Sequence, residues 1–312
     1  MTLLIKYTLI YGIVLMLVAL GACYSERSGI INIAMEGIMV IGGVMGLLVM
    51  VMLPPTIPAF WKVTITIVVS AVAGLLYSSL LAFSAINLKA DQTIGGTALN
   101  LLATALALVL VKRYNNSMAG GTGTQSPKLS FTNSDFIFNI GPITVNVFLF
   151  VGLVLLIIAM VVLYKTRFGM RLMACGEHPQ AADSVGINVY RMRWAGVLIS
   201  GFLGGIGGLA YVVPAVQTWN FEGGVMGMGF LAIAVMIFGQ WRPGRIFLAA
   251  MFFAVFKALA NIYDSTFLSA LNLTKEVYNM MPFLASMIIL AFTSKNSRAP
   301  KAEGVPYDKG QR

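Results

Sequence analysis

An all-α protein that crosses a membrane about nine times is the fold class this sequence predicts, and three observations predict it. Of 312 residues, 58% are hydrophobic and only 10% charged, with a mean hydropathy of +0.86; soluble domains use roughly 45–50% apolar and 25% charged residues. Apolar runs near the length of a span, about 20 residues, recur along almost the whole chain. Between them no stretch is long and mixed enough to bury a soluble core of its own.

The runs fall at about 3–22, 31–53, 63–86, 95–111, 144–164, 194–213, 225–240, 245–262 and 279–293. Several are short or interrupted by glycine, which sets the range at about 8–10 spans. The first has no polar segment and small-residue cleavage site behind it, so it reads as a retained helix rather than a signal peptide. Residues 1–294 then form one transmembrane unit, and 295–312 a polar tail.

Basic residues orient the spans, because loops rich in Lys and Arg stay on the cytoplasmic side. Lys165, Arg167, Arg171, Arg191 and Arg193 cluster between the fifth and sixth runs, and Lys295, Arg298, Lys301, Lys309 and Arg312 lie in the tail. An even number of runs separates the two clusters, so both face the cytoplasm. The turn at 242–245, the "YSERSG" stretch and Lys89 fall on that side as well; the N-terminus and 214–224 fall outside. Lys112 and Arg113 dissent, ending a run at the outer face. The net charge of +10 is accounted for by these clusters, and no basic face suited to nucleic acid is left over.

Residues 114–143, rich in Gly, Ser, Thr and Asn, read as a long external loop with a short surface helix around 131–139. Such a loop either docks an external partner or is simply solvated. Glycines crowd the sixth run, where Gly201/Gly205 and Gly204/Gly208 are small-xxx-small pairs that let helices approach closely. No internal repeat is evident. Cys23 and Cys175 lack metal-ligand spacing, and His178, the sole histidine, has no Cys or second His nearby. No phosphate-binding G-x-x-x-x-G-K-[ST] loop occurs, so any ATP hydrolysis would belong to another chain.

Two stretches carry polar residues that a membrane protein does not place casually. In "SERSGIINIAMEG", 25–37, a helix would align Ser25, Ser28, Asn32 and Glu36 on one face. Such a stripe lines a hydrated path or hinges a broken helix; alternatively Asn32 and Glu36 hydrogen-bond a neighbouring helix. Within the spans only Glu36 and Lys257 are plausible titratable groups, and Lys257 could equally snorkel to an interface. The second stretch, 166–194, is too polar to span; Glu177, Pro179 and Ala181–Ala182 look like the opening of a short helix ending near Gly186. It reads as a transmitter of motion from a soluble partner or as an ordinary surface helix.

The chain resembles the membrane permeases of ATP-binding cassette importers in the branched-chain amino acid, ribose and nucleoside group. "SERSGIINIAMEG" resembles that group's signature at the start of its pore helix, and "NLKADQTIGGTALNLLATAL" its following block. "TRFGMRLMACGEHPQAADSVGI" is similar to the cytoplasmic coupling loop, placed here at 165–193, with Gly186 at the characteristic glycine. "GFLGGIGGLAYV" and "GGVMGMGFLAIAVMIFGQWRPGRI" resemble the two later blocks. The forms ERSG-x-x-N-x-x-x-EG and GF-LAIAV-IFGQWRP look most like the shorter permease of purine nucleoside importers. Many members carry an additional N-terminal span, and this chain starts directly with the span before the signature.

The resemblance implies an alternating-access pathway in the bacterial cytoplasmic membrane. It would be shared with a second permease, energised by cytoplasmic ATPases that hold the ATP and magnesium, and supplied by an extracytoplasmic substrate-binding protein. Ser28, Asn32, Glu36 and Asn100 would line the pathway, and Glu177, Pro179, Ala182 and Gly186 would couple to the ATPase. The chain itself would need no cofactor and catalyse no reaction. A simple-sugar permease and a stand-alone secondary transporter are the alternatives.

Overall fold

The computed structural model describes residues 2–120, 126–140, 143–263, 274–293 and 299–310. Lys295, Arg298 and Arg312 of the expected tail cluster, and parts of the external loop, lie outside the described residues. The helices are α1 (Thr2–Arg27), α2 (Met35–Met52), α3 (Ala59–Ala82), α4 (Gln92–Met118), α5 (Val147–Lys165), α6 (Arg167–Glu177), α7 (Pro179–Ser184), α8 (Val189–Val212), α9 (Met228–Phe238), α10 (Pro243–Asn261) and α11 (Lys275–Thr293). Four short strands accompany them: β1 (Lys128–Ser130), β2 (Ile137–Ile140), β3 (Ile143–Asn146) and β4 (Thr218–Asn220). Among the described residues eight helical stretches are long and apolar enough to span, and α11 adds a shorter apolar stretch, Val277–Ile288. The protein is a multi-pass membrane protein with the expected number of crossings.

Helices α1, α2 and α8 form the centre: 61%, 67% and 72% of their apolar windows are buried, against 28% for α4 and α5. The exposed leucines, valines and isoleucines of α4 and α5, among them Leu101, Val109, Val154 and Ile157, therefore present lipid-compatible surface. In a bilayer apolar burial gives helices no reason to associate, so close backbone packing must supply it. The glycines of α8 do this on several faces. Gly201 and Gly205 meet Gly74 and Ser70 of α3, Gly204 and Gly208 meet Ile38 and Met39 of α2, and Gly207 meets Val18 of α1. A Cβ on Gly208 would overlap the Met39 carbonyl. Ser70 Oγ also donates to the Gly205 carbonyl at 2.8 Å.

Polar contacts divide between the two ends of the bundle as the charge pattern predicts. At one end β1 pairs with β4 in antiparallel register, Leu129 opposite Trp219, so the loop after α4 and the loop after α8 share a face. Lys62 and Asp135 form an ion pair there at 2.9 Å. At the other end Trp194 Nε1 donates to Asn87, Lys89 pairs with Asp308 at 3.0 Å, and the Arg27 guanidinium donates to the Trp241 carbonyl. The expected surface helix at 131–139 is not formed. A single 3-10 turn, Ser134–Phe136, leads instead into the hairpin of β2 and β3. The β-branched Ile137, Ile143, Thr144 and Val145 favour strands, and Phe136 stacks on Phe148 of α5.

Candidate functional site

The stretch 25–37 is not one helix, which corrects the reading of a single polar face. Helix α1 stops at Arg27, residues 28–34 are irregular, and α2 starts at Met35. Gly29 takes φ +95°, a conformation open to glycine and closed to most other residues. The Ile30 N–H bonds the Ser25 carbonyl at 3.2 Å and the Gly29 N–H bonds the Glu26 carbonyl at 2.8 Å. These are the paired bonds of a Schellman stop. The serines reinforce it locally: Ser28 Oγ donates to the Ser25 carbonyl at 2.6 Å, and Ser25 Oγ to the Ile30 carbonyl at 2.8 Å.

Buried backbone that leaves a helix must find other partners, and two polar side chains of α4 provide them. Gln92 Oε1, at the start of α4, accepts from the Ile31 N–H at 2.7 Å. Asn100 bridges the break: its Nδ2 donates to the Ile33 carbonyl at 2.9 Å and its Oδ1 accepts from the Gly37 N–H at 2.7 Å. Asn32 is fully buried and donates to Ser200 of α8 at 2.8 Å, while its Oδ1 has no hydrogen-bond partner. Ser28, also fully buried, packs against Gly196 of α8.

Glu36 stands apart from these. Its two carboxylate oxygens accept from the Gly227 and Gly229 N–H groups, each at 2.7 Å, at the start of α9. Helix N-termini present unsatisfied N–H groups and partial positive charge, so a carboxylate from another helix caps this one. Helix α9 has 11 residues, about 16 Å at 1.5 Å per residue. Its far end meets the end of α1: Trp241 Nε1 donates to Glu26 at 2.6 Å. The helix alone covers about half of a core of about 30 Å, and the 3-10 turn Phe221–Gly223 completes the span-length stretch Phe221–Phe238. The irregular 224–227 stretch that feeds it has glycine at the positive-φ positions Gly224 and Gly227. The starts of α2 and of the short helix α9 thus face each other, with Glu36 between them.

The four residues expected to line a pathway are therefore assembled at one place, but with different partners. Glu36 is half-buried with its carboxylate aimed at a helix end; Ser28 and Asn100 bond backbone carbonyls at the break, and Asn32 ties it to the Ser200 hydroxyl of α8. Sequence reasoning missed Ser200 and Gln92. Ser200 is a lone polar residue in an apolar helix and Gln92 sits in an ordinary polar helix start between Asp91 and Thr93, so only the buried partner identifies either.

The stretch 166–194, expected to be cytoplasmic, also differs from expectation in detail. Glu177 ends α6, and the next helix opens at Pro179, which needs no N–H at a first helical position. Pro179 and Ala182 point inward; Ala182 packs with Cys175, Val189 and Tyr307. Burial pushes the Cys175 thiol up to about 11, which leaves it protonated and unreactive at neutral pH. Gln180, Ala181, Ser184, Val185 and Gly186 form the exposed side, with Val185 75% accessible. Gly186 has φ +82° and open space around it. The tail closes over this layer: the Ala302 N–H bonds the Gly176 carbonyl at 2.9 Å, the Gly304 N–H bonds the Gly29 carbonyl at 3.1 Å, and Arg193 donates to the Val305 carbonyl at 2.9 Å. One strap of chain thereby joins α6, the α1–α2 break and α8. Among the described residues no group of three or more His, Cys, Asp or Glu side chains could hold a metal ion.

Comparison with known proteins places this geometry. The family model for the permease component of the branched-chain amino acid transport system matches residues 4–291. A nucleoside ABC transporter permease protein of Lactococcus lactis, NupC, is 36% identical over 97% of this chain and 96% of its own. A guanosine ABC transporter permease protein of Bacillus subtilis, NupQ, is 35% identical over 100% of this chain and 98% of its own. A second nucleoside permease of L. lactis, NupB, is 23% identical over 96% and 83%. No solved structure matches the chain.

Proposed function

This chain belongs to the permease family of branched-chain amino acid transport systems, and we propose that it is the permease subunit of an ATP-binding cassette importer for nucleosides. The observation that carries the mechanism is the meeting of the start of α2 with the start of the short helix α9 at Glu36. Discontinuous helices at mid-membrane are how transporters build substrate sites and moving parts. The lone acceptor of Asn32 supports a break that rearranges, because an unsatisfied buried oxygen costs about 1–3 kcal/mol in the conformation that leaves it so. Glu36 faces the pathway, and Ser28, Asn32 and Asn100 position it.

The partners follow from the same reading. A second permease completes the pathway; the chain's similarity to both NupC and NupB of one organism supports a non-identical pair. A separate ATPase, carrying ATP and magnesium, docks on the exposed side of α7 around Val185 and Gly186, with Glu177 at its edge. Pro179 and Ala182 shape that side from within. The tail strap then relays motion from α6 to the α1–α2 break. An extracytoplasmic binding protein delivers the nucleoside, and the assembly sits in a bacterial cytoplasmic membrane. The chain has a transport role and performs no catalysis of its own.

Uptake of radiolabelled guanosine, with excess ribose as competitor, in cells with and without this gene tests the proposal. Loss of uptake on deletion, insensitive to ribose in the parent cells, is expected. Unchanged guanosine uptake with loss of ribose uptake would move the chain to the sugar-transporting side of the family.

A further inference from the structure

A cavity of about 340 Å³ opens beside β4 and is lined by residues of α1, α8, α10 and α11 as well as the loop before α9. It falls in the size range of small-molecule sites, about 300–1,000 Å³. Its walls combine three kinds of side chain. Tyr11 and Tyr211 lie with ring centroids 6.3 Å apart, tilted by 40°. Trp219 lines it too, packed on Phe221 at 4.3 Å, and its Nε1 donates to the Gly224 carbonyl at 3.2 Å. That indole also rests against Gly43 of α2, so the cavity adjoins the pathway helix. Asn261 and Asn279 bring amide groups to the lining, and neither forms a hydrogen bond among the described residues.

Lys257 is the decisive member. It lines the cavity with 5% of its surface exposed, so it does not snorkel to the membrane interface. Among the described residues it forms no hydrogen bond and no ion pair, and Glu36 is the nearby opposite charge. A buried ammonium is expensive unless something accepts its protons. Structural packing alone would not retain it there, whereas a ligand with clustered acceptors would.

We propose that this cavity is a docking site for the 6-oxopurine base of a nucleoside, with Lys257 as the residue that selects it. This rests on the nucleoside reading above. The base inserts between the tyrosines and Trp219, where stacking is indifferent to which base is present. Lys257 donates to the O6 and N7 acceptors that guanine and hypoxanthine present together. Adenine turns an amino donor toward the same ammonium and is disfavoured. Asn261 and Asn279 supply both donors and acceptors for the remaining base edge and the ribose.

The test measures uptake of guanosine and adenosine side by side by the complete transporter in vesicles. The guanosine-to-adenosine ratio is internal to each variant and does not depend on expression level. Lys257→Gln, which offers an acceptor as well as donors, should lower that ratio about tenfold, the worth of one good base contact. An unchanged ratio in a wild type that transports guanosine overturns the site and leaves the nucleoside function standing. A wild type that carries neither nucleoside overturns both. A second measurement keeps Lys257 in place: Met226→Cys, at the cavity edge and 62% exposed in its native form, is labelled with a membrane-impermeant maleimide. The native Cys23 and Cys175 are buried and give little background. Guanosine, and not ribose, should slow the labelling; equal rates with and without guanosine overturn the proposal.

Discussion

Replacing Glu36 by alanine should detach the start of α9 and stop transport before it prevents insertion. The carboxylate accepts two N–H groups at 2.7 Å each. Hydrogen bonds to charged groups contribute about 1.5–3 kcal/mol each in soluble proteins, while interhelical side-chain bonds in a membrane average about 0.6 and reach about 1.7 kcal/mol. The membrane figure applies to position and the charged figure to chemistry, so about 1–2 kcal/mol per bond, and about 2–4 kcal/mol for the pair, is the reasonable magnitude. For a chain of 312 residues that corresponds to a melting temperature lower by roughly 3–6 °C. Glu36→Gln keeps one acceptor oxygen and should recover about half of the loss. Thermal unfolding of the purified assembly gives the overall cost, and hydrogen exchange at Gly227 and Gly229 locates it. A Glu36→Ala protein with unshifted melting and unaltered exchange at those two amides would refute the capping role. Altered exchange with full uptake would instead separate the cap from the pathway.

Other consequences are equally direct. Gly208→Val pushes a side chain into the Met39 carbonyl and should separate α2 from α8, costing about 1–3 kcal/mol or more; cross-linking between the two helices in membranes would report it. Gly186→Arg meets no neighbour but strains a φ of +82°, so the protein should insert normally and lose substrate-stimulated ATPase activity; normal uptake by the variant would dissociate this turn from coupling. The tail should loosen with rising pH. Burial raises the Glu303 carboxyl above its ordinary range. An acid with a raised folded pKa stabilises docking at low pH and loses that contribution as pH climbs through its folded value. Limited proteolysis of the tail should accelerate as pH rises above the ordinary carboxylate range, and Glu303→Gln should flatten the profile.

The places where expectation and structure part are instructive. Spacing placed Ser25, Ser28, Asn32 and Glu36 on one face because periodicity assumes an unbroken helix, and the Schellman stop at Gly29 breaks that assumption. A glycine after a serine and arginine is a recognisable stop signal, yet its weight against an apolar run on both sides is not visible locally. The surface helix near 131–139 failed for a similar reason: the strands there owe their pairing to residues distant in sequence or to a turn whose ends lie in the same hairpin. At the stretch expected to couple, Pro179 and Ala182 are singled out by position, but whether such a residue faces out or in depends on Tyr307, more than a hundred positions away.

Composition and charge placement alone determined that this protein crosses a membrane many times, which ends share a side, and which glycines would bring helices together. Those properties are set residue by residue, through transfer into lipid and through the positive-inside bias. Only the tertiary structure decided what the polar residues do inside. A buried carboxylate is a cap, a pathway group or a liability according to which N–H groups or charges stand within about 3 Å of it. For Glu36 the N–H groups come from 227 and 229, for Asn32 the partner comes from 200, and for Lys257 an open cavity takes the partner's place.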